Sequence, residues 1–301
     1  MTNPPTIVGI GEILWDLLPS GRQLGGAPAN FAYCSHSLGN RAIVASCVGN
    51  DELGQEIRRS LNRTGLARDF LQTDSLHPTG TVRVHLDSAG QPQFEITQPV
   101  AWDFLESSDD WQRLAKSADA VCFGSLAQRS EQSRNTIRKF LDATREDALR
   151  IFDVNLRQNF YSAEVITESL NRANAVKLNN EEVPRIKDLL RMNADSEEAF
   201  AHSLIQQFKL TLACITRGAN GSLLCGKNGS NEHPGFHVTV KDTVGAGDAF
   251  TAGLVHAFLQ GQTFAEMNDL ANRMGAWVAS NSGAMPPIPS MGLKQVLAAI
   301  H

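Results

Sequence analysis

Lys241-Asp242-Thr243-Val244-Gly245-Ala246-Gly247-Asp248-Ala249-Phe250 sets two glycines and an acid between a strand-like segment and a run with helical spacing. Phe250, Leu254, Ala257 and Phe258 recur at that spacing, which predicts a helix beginning at or near Gly247, with Gly261 as its stop. The N–H groups of Gly245, Ala246 and Gly247 would then lie free at a helix N-terminus, where the dipole favours an anion. Asp248 falls in the first turn. As a capping acid it would contribute about 1 kcal/mol. As a general base it would face a hydroxyl, leaving the anion to the peptide N–H groups.

Outward from this turn, short β-rich runs alternate with helical ones. Thr6–Gly11, Ala42–Val48, Ala118–Phe123, Arg150–Val154, Ala175–Leu178 and Thr211–Thr216 read as strands. Ala29–Leu38, Glu52–Thr64, Glu131–Asp147, Ala163–Ala173, Glu181–Leu190 and Ser196–Phe208 read as helices. That order predicts an open, mostly parallel sheet covered by helices on both faces. One segment departs from it: Gly80–Thr97 alternates with period two around Asp87-Ser-Ala-Gly90, as a hairpin does. It is either a lid or dimer surface, or an antiparallel extension of the main sheet. Beyond residue 245 the chain reads as mostly helical, with Pro286-Pro287-Ile288-Pro289 breaking it before a short terminal helix.

Composition narrows the function classes. The chain has 301 residues, 42% hydrophobic and 20% charged, with a net charge of −5 and no basic run. An ordinary soluble protein with no nucleic-acid footprint is expected. Apolar runs are strand-sized, too short to span a bilayer. MTNPPTIVGIGEI lacks a basic segment followed by an apolar one, so a cytoplasmic protein without a secretory signal is expected. The five cysteines, at 34, 47, 122, 214 and 225, are scattered without CxxC spacing, against a disulfide scaffold or zinc site.

Gly9-Ile10-Gly11 follows a strand, but Leu14 occupies the third glycine position of a dinucleotide fingerprint, which weakens an oxidoreductase reading. Walker, HExxH and GxSxG patterns do not occur. Gly25-Gly26-Ala27-Pro28-Ala29-Asn30 precedes a helical run and follows a loop containing Asp16. It is a plain strand-to-helix turn, or a place where backbone and Asn30 approach a ligand.

DTVGAGDAF resembles the C-terminal signature of the ribokinase-like (PfkB-type) carbohydrate kinases, and GGAPAN their N-terminal sugar-binding signature. Asp153-Val-Asn-Leu-Arg157, Lys177-Leu-Asn-Asn-Glu-Glu182 and Thr216-Arg-Gly-Ala-Asn-Gly221 agree in order, so the likeness covers roughly residues 6–290. The resemblance implies one Rossmann-like three-layer α/β/α domain over residues 1–301, with a small β-sheet lid from segments near 12–25 and 78–100. It implies transfer of the γ-phosphoryl of ATP to a sugar hydroxyl, with Asp248 as base and Gly245, Ala246 and Gly247 as anion hole. Sugar binding maps to Asp16, Gly25, Gly26 and Asn30. Arg157 either reaches phosphate oxygens or points into solvent, and Trp15 and Phe94 pack on the sugar or in core and lid. Nucleotide contacts map to Asn179, Thr216, Gly218, Gly221, Gly247 and Asn272; at Thr216–Gly221 a simple hairpin turn is the other reading. Glu182, with Asn179, would organise Mg²⁺ through water, and Asp242 with loop 280–285 would hold K⁺. GEILWD, VAWD and GGAPAN resemble the fructokinase branch, implying D-fructose and O6; ribose, 2-keto-3-deoxygluconate and nucleosides stay open. A homodimer is the expected assembly. The reading of another class is a sugar- or nucleotide-binding protein without catalysis.

Overall fold

Thr6–Ile10 (β1) is buried at every position, as a strand covered on both faces must be. The computed structural model describes residues 3–18, 21–86, 92–227, 229–288 and 292–300, without the side chains of 84–86 and 92–94. The chain continues through Leu14–Leu18 (β2), Gly21–Gly25 (β3), Ala27–Ser37 (α1), Arg41–Gly49 (β4), Glu52–Arg63 (α2), Leu71–Asp74 (β5), Gly80–Leu86 (β6) and Pro92–Ile96 (β7). Then come Asp109–Ser117 (α3), Ala120–Phe123 (β8), Glu131–Asp142 (α4), Leu149–Asp153 (β9), Ala163–Arg172 (α5), Ala175–Asn179 (β10), Glu182–Leu190 (α6) and Glu197–Phe208 (α7). Leu212–Thr216 (β11), Ser222–Gly226 (β12), Gly229–His233 (β13), Ala246–Leu259 (α8), Phe264–Ala279 (α9) and Leu293–Ala298 (α10) complete it.

The main sheet runs β13-β12-β11-β10-β9-β8-β1-β4-β5. It is parallel from β11 to β5, and only the β11–β12–β13 edge is antiparallel. Alternate side chains feed separate cores. Val8 and Ile10 pack with Trp111, Phe140, Ile166, Ile186 and Phe200, from α3 to α7. Ile7 packs with Phe31, Ile57, Phe250, Met267 and Leu293, from α1, α2 and α8 to α10. The result is three layers, α/β/α, as the resemblance implied. All five cysteines are free and buried in it.

The hairpin is not an extension of that sheet. It joins a second sheet, β3-β2-β6-β7, in which β2 pairs in parallel with β6, Leu14 opposite Gly80. Its strands β2 and β3 fall within 12–25 and β6 and β7 within 78–100, while the turn expected at 87–90 lies outside the described residues. The second sheet is fastened to the main body by Arg129. Its guanidinium donates twice to Asp103 at 2.8 Å and once to Thr97 O at 2.7 Å, and stacks on Trp102 at 3.9 Å.

Two expectations need correction. No strand precedes the glycine turn: β13 ends at His233 and residues 234–240 have no regular structure, since Pro234 has no N–H for a ladder. The helix expected to reach Asp147 stops at Asp142, where Thr144 Oγ1 donates to Leu141 O at 2.7 Å and closes the end.

Candidate active site

In a sheet of this type the order reverses beside β1, and ligands bind past the carboxyl ends of the strands at such a reversal. Glu12 follows the end of β1, Asp153 closes β9, Asn179 closes β10 and Thr216 closes β11. Two helix N-termini, of α1 and α8, join them there: Asn30 Nδ2 donates to Asp248 Oδ2 at 2.8 Å. That bond links the GGAPAN and GAGD segments, 218 residues apart in sequence.

Glycine is required at both starts. Gly26 has φ 104°, and a Cβ there would lie 2.5 Å from Glu12 O. Gly245 has φ 77°, and its Cβ would lie 2.4 Å from Ala284 Cβ. The chain therefore turns into α8 pressed against loop 280–285. Asp242 makes the same connection, accepting from Val244 N at 3.0 Å and Gly283 N at 3.1 Å. The expected trio of free donors is altered: Ala246 N–H closes the turn onto Thr243 O at 3.2 Å. Among the described residues the N–H groups of Gly245, Gly247 and Asp248 take no backbone acceptor, and they are the donors left to an anion.

Burial raises the Asp248 carboxyl to about 6, with Asp153 adding to it; the Asn30 bond, Lys177 and Arg157 oppose. Asp16 stands on β2, and Gly25 on the adjacent strand lacks a Cβ that would meet Asp16 Oδ2 at 2.3 Å. Burial lifts Asp16 to about 6, against the pull of Arg157 and with a push from Asp242. Arg157 is exposed, but its charge is felt by Glu12, Asp16 and Asp248 alike. Residues 155 and 158 on either side of it have φ of 43° and 47°, strained values for Asn and Gln that set this short loop apart.

Glu182 and Asn179 form a reciprocal cap. Asn179 N donates to Glu182 Oε2 and Glu182 N to Asn179 Oδ1, each at 2.8 Å, while Leu156 N donates to Glu182 Oε1 at 2.7 Å. Gly218 has φ 58° and open space around it, whereas a Cβ on Gly221 would lie 1.9 Å from His233 O. Gly221 thus closes the β11–β12 hairpin by necessity. Asn272 Nδ2 donates to Ser222 Oγ at 2.8 Å and to Asn268 O at 2.8 Å, facing β12. Trp15 belongs to the core: it is 4% exposed, and its Nε1–H donates to Leu53 O at 3.0 Å. Phe94 pairs through its backbone with Val84, and its side chain lies outside the described residues.

Three charged residues of the cluster carry no assignment from the sequence. Glu12 is buried with Oε2 unpartnered, and burial first, with Asp248 adding, raises it to about 7. Asp153 and Lys177 sit directly opposite each other on β9 and β10, 3.1 Å apart. A charge inside the apolar runs RIFDV and AVKLN was the available signal. Glu198, His202 and Cys225 group elsewhere. Cys225 pairs with Ala213 near the start of β11, at the far end from Thr216, and burial keeps its thiol protonated, up to about 11. Among the described residues no helix is long and apolar enough to cross a membrane.

The chain is 30% identical to the fructokinase of Escherichia coli, over 93% of this chain and 95% of that one. A double-mutant fructokinase of Vibrio cholerae O395, in its fructose-, ADP- and potassium-bound form, superposes with a TM-score of 0.83 at 26% identity, covering 100% of both chains. A sugar kinase of Pyrococcus horikoshii in complex with ATP gives a TM-score of 0.79 at 28% identity, covering 93% of this chain and 94% of that one. The pfkB family pattern matches residues 21–291, and with it the glycine turn, the Asn30–Asp248 bond and the fold have one common explanation: the chain belongs to the pfkB family of carbohydrate kinases.

Proposed function

We propose that this carbohydrate kinase is an ATP-dependent fructokinase, moving the γ-phosphoryl group of ATP to O6 of D-fructose. The observation that carries the reading is the Asp248 carboxylate, fixed by Asn30 at 2.8 Å beside the unspent N–H groups at the start of α8. O6 attacks the γ-phosphorus, the O6–P bond forms, and the bond to the β-phosphate bridging oxygen breaks with its electron pair leaving on ADP. The O6 proton passes to Asp248. The N–H groups of Gly245, Gly247 and Asp248 meet the charge on the transferring oxygens, so acid and anion have separate partners. A carboxyl raised to about 6 is ionised at neutral pH yet basic enough to take a proton.

Asp16, Gly25, Gly26 and Asn30 line the sugar side, and the second sheet, which carries Asp16, acts as the lid of a single kinase domain. Thr216, Gly218, Gly221 and Asn272 line the nucleotide side, with Arg157 turned toward the phosphates. Magnesium, when bound, neutralises charge on the phosphate oxygens. Glu182 offers hard oxygens of the kind it takes, and because they already accept two backbone N–H groups, a hydration water is the fitting link. Potassium would bind near Asp242 and loop 280–285. The named relatives support fructose: a fructokinase at 30% identity and one bound to fructose, ADP and potassium.

ADP release measured over D-fructose, D-ribose, 2-keto-3-deoxygluconate and a nucleoside tests the reading. D-fructose should give the highest kcat/KM, and Asp248→Asn should lower kcat by about 10²–10⁴-fold with fructose affinity nearly unchanged. Near-normal turnover by Asp248→Asn would overturn the base assignment, and a better acceptor would overturn fructose. Silence toward every sugar would favour a binding protein instead.

A further inference from the structure

Lys177 lies in the middle of the sheet with 8% of its side chain exposed. Its ammonium donates to Asp153 at 3.1 and 3.3 Å. Thr251, in the second turn of α8, has its hydroxyl 2.9 Å from Asp153 Oδ2 and 3.0 Å from Gly247 O. The pair is therefore tied to the opening turn of α8. A Cβ on Gly247 would meet Lys177 Nζ at 3.1 Å and nothing else within 4 Å. Gly247, unlike Gly245, has no positive φ, so its missing side chain answers to the ammonium and not to the backbone.

A buried ion pair is weak evidence for stability, because well-packed apolar residues of similar volume often serve as well or better. Its position directly behind a helix N-terminus calls for another account. The groups facing Asp248 are Asp153 from β9, Lys177 from β10, Arg157 from the loop after β9 and Asn30 from α1. Glu12 beyond β1 faces it too, with the thiols of Cys34 and Cys122 nearby.

We propose that Lys177 is a positioning residue for phosphoryl transfer: locked on Asp153 and fitted into the gap left by Gly247, it supplies fixed positive charge behind the start of α8 and keeps the anion-binding turn and Asp248 aligned. The inference rests on Asp248 acting as the base, and it adds a residue that touches neither substrate.

The test compares Lys177→Met, the charge-neutral double variant Asp153→Asn/Lys177→Met, and Asp248→Asn. The double variant keeps a side-chain oxygen for Thr251 and removes both charges of the pair together. It should lose about 10–100-fold in kcat while KM for the sugar changes less than about threefold. Lys177→Met alone leaves Asp153 uncompensated, so the acid limb of its kcat–pH profile should move up by about one unit. A lysine whose charge did not reach Asp248 would not move that limb. Should these variants fail to fold, Gly247→Ala presses a methyl on the ammonium in an otherwise permissive helical turn, and about a tenfold fall in kcat is expected. A folded double variant with wild-type kcat, or Gly247→Ala with wild-type kcat and an unmoved limb, overturns the inference. If Asp248→Asn is dead while the double variant is normal, only the role of Lys177 falls; if Asp248→Asn is active, the reading beneath it falls first.

Discussion

At the scale of single residues, the site is an arrangement of acids kept from ionising early. Burial lifts Asp248 to about 6, and if it is the base proposed above it works only when deprotonated. Turnover should therefore decline as pH falls through about 6, where an ordinary aspartate would have carried it to below 4. A kcat–pH profile of the wild-type enzyme checks this, and a flat profile down to pH 4.5 would contradict it. The acid was visible in the sequence because it stands beside two glycines. Lys177 was not, because the meaning of a lysine in AVKLN depends on what faces it. Asp153 lies opposite it only through the pairing of two strands 24 residues apart. Glu12 stayed hidden for the same reason: the start of α1 meets it from outside its own segment, where a Cβ on Gly26 would lie 2.5 Å from Glu12 O.

At the scale of elements, α8 and the parallel strands β1, β4 and β8 to β11 were legible in local pattern, whereas β5 and, without the resemblance, β2 and β3 were not. The legible strands carry largely apolar runs, a signal held within four to nine residues, whereas LQTD of β5 carries none. LWDLL and GRQLG contain no alternation that marks them, and they are strands because β2 finds β6, with Leu14 opposite Gly80. Pairing at that distance leaves little trace in local pattern. The turn into α8 is where an element-level change should be most costly. Gly245→Ala meets both a left-handed φ of 77° and Ala284 Cβ at 2.4 Å. A loss of about 1–3 kcal/mol in stability is expected, together with lower kcat as the N–H groups turn away. Thermal unfolding and kinetics on one preparation would show both. Retained Tm and kcat would mean that loop 280–285 yields more readily than its packing indicates.

For the molecule as a whole, the site opposes stability. Glu12, Asp16 and Asp248 all titrate higher in the folded chain than their ordinary values. Such raised acids favour the fold below their unfolded pKa and lose that contribution as pH rises through about 6 to 7. For Glu12, moved from 4.5 to about 7, the span is roughly 3 kcal/mol. Glu12→Gln, which keeps an oxygen for the Ala27 N–H, should raise Tm at pH 8 and change it little at pH 4.5. Equal shifts at both values would dismiss titration as the cause. The buried cysteines carry a different consequence. Every thiol is raised by burial, Cys47 to about 12 and Cys225 to about 11, with Cys34, Cys122 and Cys214 also pushed upward. Thiolate is the reactive form, so a folded molecule should resist iodoacetamide at neutral pH and an opened one should not. The chain thereby carries five native chronometers, on α1, β4, β8, β11 and β12. The order in which mass spectrometry finds them alkylated would map which layers come apart first, and how far an added sugar or nucleotide delays each.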